Sequence, residues 1–222
     1  MPTPSGARLT ADDRRRQLVG IGLRMLVHRP IHELSLDAVA AEAGISRSLL
    51  FHYFPTKRDF YVAVVRAAAR GLIRQTLPDA DAPPAERLRQ ALDAFVTFIE
   101  RHREPYLALL RGAAGGADYV IEIHEQTRDT FVAHALSALA PVEPTRRVDL
   151  VIRGWFGFVE DTVLGWAKDR PFPRTELLDL LHDALPALLT AASPGQSAEI
   201  RRHLTLPTPP PPSAPDPGPT PA

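Results

Sequence analysis

The chain has 222 residues, 45% of them hydrophobic, no cysteine, and 26 basic against 26 acidic side chains. That length can bury one sizeable core or two small ones, and the missing cysteines exclude a disulfide scaffold and a thiolate zinc site. The longest uncharged stretch, Ala184 to Ala198, is broken by Pro186, Pro194 and Gly195 and falls short of the roughly 20 apolar residues that a bilayer demands.

Arg14, Arg15 and Arg16 precede no apolar run with a cleavage site, so a soluble, cytoplasmic protein with no membrane partner is expected. The neutral balance hides an asymmetry, because residues 1–70 carry 11 basic and 6 acidic side chains and the remainder 15 and 20. A small basic head on a larger acidic body suggests that only the head meets a polyanion. Residues 1–9 are expected to be a flexible start.

The hydrophobic period is helical almost throughout, which predicts an all-α chain. Leu18, Ile21, Gly22, Met25 and Leu26 form one apolar stripe on a helix from Ala11 to His28, which Pro30 helps to end. Ser35 is a good N-cap for a second helix burying Val39, Ala40 and Ala43, and Gly44 supplies its left-handed stop. Ser46 caps a third, short helix in which Leu50 and Phe54 face the core while Arg47, Ser48, Phe51 and His52 face outward. Two short helices joined by a tight glycine turn form a helix-turn-helix, whose second helix is shaped to enter a major groove. Pro55 closes it, and Thr56 with Asp59 opens a fourth helix with Lys57 at its entrance.

The run LSLDAVAAEAGISRSLLFHYFPTKRDF, ending at Phe60, resembles the DNA-binding signature of the TetR family of transcriptional regulators. Val39-Ala40, Ala43-Gly44, Ser46, Leu50, Phe54 and Lys57 stand at the family's spacing. The resemblance implies a three-helix DNA-binding domain at residues 10–55, a connecting helix at 56–70, and a larger helical effector-binding and dimerisation domain at 71–203. It further implies a homodimeric, ligand-responsive regulator, usually a repressor, on a near-palindromic double-stranded operator. Carried over by position, Ser35 and Ser46 join Arg47 and Ser48 at the groove, and His52, Tyr53 and Lys57 take base or phosphate contacts. Arg47 can donate to guanine O6 and N7 together, whereas Lys57 offers a point charge for a phosphate. Phe51 departs from the family's usual tyrosine and lacks a hydroxyl, leaving it a thymine methyl contact or simple packing. Arg14 to Arg16 either add phosphate contacts or form a solvated helix start.

Further helices are expected over Pro84 to Arg101, Glu104 to Leu110, Asp118 to Leu139, Thr145 to Lys168 and Arg174 to Ala191, with a bend at Gly112 to Gly116 and a kink at Pro186. The Thr145 helix is apolar on more than one side, as Leu150, Phe158 and Leu164 lie off its main stripe. It is covered on both sides either inside a monomer or by a symmetry mate, and the family resemblance implies the latter. Trp155, Gly157, Phe158, Asp161, Gly165, Leu178, Leu181 and Leu185 are then the candidate dimer interface. By the same resemblance Phe95, Phe98, Tyr106, Tyr119, Phe131, Trp155 and Phe158 surround a cavity for an apolar or aromatic effector, with Glu122 or His124 as its polar handle.

Chemistry finds little support. His124-Glu125 opens like the zinc-protease HExxH, but Arg128 stands where the second ligand belongs, so no metal, cofactor or catalytic residue is expected. A dimeric DNA-binding protein with a filled core, and a small helical enzyme, are the alternatives. Nine of the 23 prolines fall between Pro207 and Pro221, so residues 204–222 are expected to form a disordered proline-rich tail.

Overall fold

The computed structural model describes residues 10–26, 34–114, 118–139, 143 and 145–204, and it is helical with no strand among them. The expectations for residues 1–9, Pro30, Gly115, Gly116 and the proline-rich tail beyond Leu204 lie outside the described residues. Helices α1 (Ala11–Leu26), α2 (Leu36–Glu42), α3 (Arg47–Tyr53) and α4 (Lys57–Thr76) build the head. Helices α5 (Pro84–Ala114), α6 (Asp118–Ala138), α7 (Arg146–Asp169), α8 (Arg174–Ala192) and α9 (Ser197–Leu204) build the body.

The head's helix starts are fixed by side-chain caps, which satisfy N–H groups that have no partner inside the helix. Ser35 Oγ accepts from Ala38 N–H at 3.4 Å and Ser46 Oγ from Leu49 N–H at 3.2 Å. Thr56 and Asp59 complete a reciprocal capping box at 3.1 and 3.0 Å. Gly44 takes φ +65°, a left-handed turn that β-carbon-bearing residues rarely adopt, and so ends α2. Leu18, Ile21, Val39, Leu50, Phe54, Phe60 and Val64 then fill one buried core, with Phe54 and Phe60 edge to face at 5.1 Å. The Tyr61 hydroxyl donates to Leu34 O at 2.6 Å, pinning the start of α2 to α4.

The body differs from the sequence reading in two places. The helix from Pro84 and the one from Glu104 are joined through a kink at His102 (φ −130°, ψ 22°), where Pro105 cannot donate to the carbonyl of Arg101. Pro186 lies inside α8, which continues to Ala192. A 3-10 turn at Pro194–Gln196 leads into α9, which the sequence reading did not anticipate. Ile200 and Leu204 of α9 are buried against the body core, so the core reaches one residue into the segment expected to be tail.

That second core contains Val96, Ile99, Ile152, Trp155, Leu177, Leu181 and Leu189. Trp155 donates its indole N–H to Leu181 O at 3.1 Å, locking α7 to α8. The two cores are bridged by α4 and α6, because Val120 and Ile123 of α6 belong to the head's core while Val132 belongs to the body's.

Helices α1 and α4 approach closely at Gly22, where a β-carbon would stand 2.6 Å from Val64 Cγ2 and 2.9 Å from Phe60 Cζ. Overpacking of that kind costs about 1 to 3 kcal/mol. Gly22→Ala is therefore expected to lower the thermal midpoint and loosen the head, measured by calorimetry; an unchanged midpoint would show that α1 and α4 can separate freely.

Candidate nucleic-acid interface and internal cavity

On the outer face of the head, α3 exposes Ser48 and His52. Beside them Arg47 Nη1 contacts both oxygens of Asp37 at 3.0 and 3.1 Å, and its guanidinium lies 5.5 Å from the Phe51 ring centroid. Both partners of that ion pair are more than 60% exposed, so the pair is worth at most about 1 kcal/mol and yields readily to a better acceptor. Lys57 stands exposed at the start of α4 with its ammonium 5.2 Å from the Tyr61 ring. Ser35 and Ser46 spend their hydroxyls as caps, and Ser46 also shares a hydrogen bond with Ser48 at 3.0 Å. Tyr53 is half-buried, edge to face with His52.

Arg15 is not a free phosphate ligand here. Its Nη1 donates to Tyr53 O at 2.6 Å while its guanidinium covers the Phe54 ring at 4.2 Å, which clamps the end of α3 onto α1. Arg14 and Arg16 turn to Gln17 and Asp13. Sequence reasoning missed Asp37, although an acid in the first turn of α2 beside a groove-facing arginine was a readable signal.

Inside the body lies a cavity of about 780 Å³ lined by α4, α5, α6 and α7, with Leu23 and Leu26 of α1 reaching its wall. Phe95, Phe98, Tyr106, His124, Phe131 and Trp155 line it as expected. Three expectations are corrected. Tyr119 packs with the head and lies under Arg58, Glu122 is exposed and accepts from Gln126, and Phe158 points outward on the far side of α7.

The polar group that sequence reasoning missed is Glu160. Its carboxylate accepts from the Tyr106 hydroxyl at 2.6 Å, from His124 Nε2 at 2.9 Å and from Arg128 Nη2 at 2.8 Å. Burial pushes its pKa up, but the hydrogen bonds from His124 and Tyr106 and the charges of His124 and Arg128 outweigh that and bring it to about 2. Tyr106 is held well above the ordinary phenol value by burial and then by Glu160. A lone acid on the apolar stripe of α7, one turn after Phe156, was the available signal. Among the described residues no group of three side chains could hold a metal ion, and no helix is long and apolar enough to cross a membrane.

The candidate dimer residues divide sharply. Trp155, Leu178, Leu181 and Leu185 are buried within the protomer's own core, so they are not available to a partner, and the expectation is corrected for all four. Asp161 and Gly165 are exposed, and a β-carbon at Gly154, Gly157 or Gly165 would meet nothing within 4 Å. Beside them Leu150, Phe158, Leu180 and Leu188 leave large apolar side chains in solvent. The open stripe therefore runs along the outer edge of α7 and α8 and includes Gly157, Phe158, Asp161 and Gly165 of the residues named from sequence.

Comparisons with known proteins agree with this geometry. Residues 21–64 match the family model described as bacterial regulatory proteins, tetR family, and residues 84–188 match the tetracyclin repressor-like C-terminal domain. A crystal structure of a tetR-family transcriptional regulator from Streptomyces coelicolor superposes with a TM-score of 0.75 at 34% identity, covering 88% of this chain and 90% of that one. The HTH-type transcriptional activator FasR of Mycolicibacterium smegmatis is 33% identical over 120 residues, 53% of this chain, which span about half (52%) of its own length. The uncharacterized HTH-type regulator MT0489 of Mycobacterium tuberculosis is 27% identical over 209 residues, 89% of this chain and 86% of its own. The capped helix-turn-helix, the helical body and these matches together place the chain in the TetR family of DNA-binding transcriptional regulators.

Proposed function

We propose that the chain is a ligand-responsive regulator that leaves its operator when the body cavity is filled, which makes it a repressor wherever that operator overlaps a promoter. The observation that carries this reading is the shared helix α4, whose Phe60 and Val64 pack the DNA head and whose Val65 and Leu72 line the cavity. A molecule in the cavity that prefers one setting of α4 biases the head without touching DNA, provided that it binds the two settings with different affinity. Binding rather than catalysis is favoured because the cavity's carboxylate, Glu160, is already saturated by three donors and is not poised as a base.

The head, residues 10–55, docks α3 in a major groove, and residues 56–70 connect it to the body. Arg47 reads a base edge, Ser48, His52 and Tyr53 contribute further contacts, and Lys57 takes a phosphate. One such helix reads only a few base pairs, so two heads are needed about one DNA turn, roughly 34 Å, or a multiple apart. The second head comes from a second copy of the chain packed on the open edge of α7 and α8, where Leu150, Phe158, Leu180 and Leu188 gain cover and the glycines permit close approach.

Arg47→Ala is expected to cost about 1 to 3 kcal/mol per half-site and to relax discrimination at one base pair, whereas Lys57→Ala weakens all sequences alike and flattens the salt slope. Asp37→Asn removes a charge from the DNA face and is expected to tighten binding to random-sequence duplex. Fluorescence anisotropy against a duplex selected from a random pool checks all three; equal, sequence-independent losses for Arg47→Ala and Lys57→Ala would take the reading role from Arg47.

Gly157→Arg combined with Gly165→Arg is expected to split the dimer while leaving the head folded, with operator affinity falling to the non-specific level. Sedimentation velocity reads the first outcome directly. A double variant that stays dimeric would exclude this face as the interface.

A further inference from the structure

Arg47 is anchored from two sides, and the part of it left over selects one base. On one side Nη1 donates to both carboxylate oxygens of Asp37, at 3.0 and 3.1 Å. On another, the central guanidinium carbon lies over the Phe51 ring at 5.5 Å from its centroid, within cation–π reach. Neither anchor uses the edge formed by Nε and Nη2, because Nη1 is the nitrogen cis to Cδ and stands away from that edge. Among the described residues the Nε–Nη2 edge meets no acceptor, and the side chain is 62% exposed.

That edge is arginine's fork of two parallel donors. In the major groove guanine presents two neighbouring acceptors, N7 and O6. Adenine presents an acceptor beside a donor, thymine an acceptor beside a methyl group, and cytosine a donor. A fork of two donors therefore matches guanine alone. Guanine and Asp37 bind different hydrogens of the same guanidinium, so the base does not displace the acid. An untethered arginine is a long flexible cation that any nearby phosphate can take, whereas a tethered one has given up part of that freedom before DNA arrives.

Asp37 has no competing partner among the described residues. Arg24 is paired with Glu42, and the Lys57 ammonium lies over the Tyr61 ring. An acid in the first turn of α2 is also favoured by the helix dipole, which would explain Asp37 as a helix-start residue but would leave base choice untouched. On a face that meets phosphates the same negative charge lowers affinity for every sequence. Such a charge is useful where it raises discrimination between sequences.

We propose that Asp37 is a positioning residue for base readout, which together with Phe51 ties down one end of Arg47 and reserves its Nε–Nη2 edge for a guanine in the half-site. The inference rests on the assignment of base reading to Arg47 above, and it names the base and the residues that fix the reader.

The test uses the full chain and a duplex selected from a random pool, with each guanine of the half-site replaced in turn by 7-deazaguanine, which lacks N7, and by adenine. The unaltered protein is expected to lose about fivefold or more in affinity at one guanine on either replacement. Asp37→Asn is expected to shrink that penalty about three- to fivefold, the most that an exposed ion pair supplies, while binding random duplex more tightly. Asp37→Glu, which keeps the carboxylate, should retain most of the penalty, and Arg47→Ala should abolish it. With Arg47→Ala already present, Asp37→Asn should change no base preference. That coupling separates positioning from a helix-start role, which would move the thermal midpoint and weaken all sequences alike. A penalty unchanged by Asp37→Asn, or a base preference that Asp37→Asn shifts equally in the absence of Arg47, would overturn the proposal and leave base reading by Arg47 in place. A penalty that survives Arg47→Ala, or a selected half-site without guanine, would overturn both.

Discussion

Helix α4 is a wall of two compartments, and that constraint governs the rest of the molecule. Its first half closes the head core through Phe60 and Val64, against a glycine that leaves no room for even one methyl group. Its second half, from Val65 to Thr76, lines the cavity. A 20-residue helix is a rod of about 30 Å, so a displacement at Leu72 reaches Lys57 unless the rod breaks. Helix α6 repeats the arrangement in the same order, with Val120 and Ile123 in the head core and Phe131 beside the cavity. Arg58 lies over the Tyr119 ring at 5.5 Å, which joins the entrances of the two helices. Close-packed elements shift between discrete arrangements more easily than they deform, and the two helices give cavity contents a route to the orientation of the head.

A large apolar cavity is expensive to keep open, and the Glu160 cluster limits how its walls can collapse. One carboxylate on α7 is held by Tyr106 of α5 and by His124 and Arg128 of α6, so three walls are tied at one point. Burying a carboxylate costs free energy unless donors replace its water, and here three do. Because its pKa lies below the unfolded value, this tie stabilises the fold fully above the ordinary carboxylate range and is lost as pH falls toward about 2. At neutral pH the cluster braces three walls of the cavity, with the Arg128 guanidinium balancing the Glu160 charge.

The head was legible because each of its features is local. Caps at Ser35, Ser46 and Thr56, a left-handed Gly44 and the outward placement of Arg47 all follow from residues fewer than five apart. The body was legible as helices but not as an arrangement. Periodicity identified α7 as apolar on more than one side, yet it could not say which stripe faced α8 and which faced solvent. Trp155 and Leu181, read as partners of a second copy, are in fact hydrogen-bonded to each other. Of the two polar handles expected, His124 lines the cavity and Glu122 does not, and Glu160 was not considered, because the side that a helix turns inward depends on residues 30 to 60 positions away. Asp37 was the exception, a readable signal only ten residues from Arg47, which the tight turn between α2 and α3 brings to its partner.

The account's central claim is that two heads are carried on one body whose cavity sets their relation. Because the chain has no cysteine, Asp12→Cys on the exposed face of α1 places one spin label on each head for double electron–electron resonance. The account predicts intermolecular coupling whose distance distribution narrows on a selected cognate duplex, but not on a random one, and is displaced when Ala91→Trp fills the cavity. No intermolecular coupling at DNA-binding concentrations, or a distribution indifferent to both duplex and cavity filling, would contradict it.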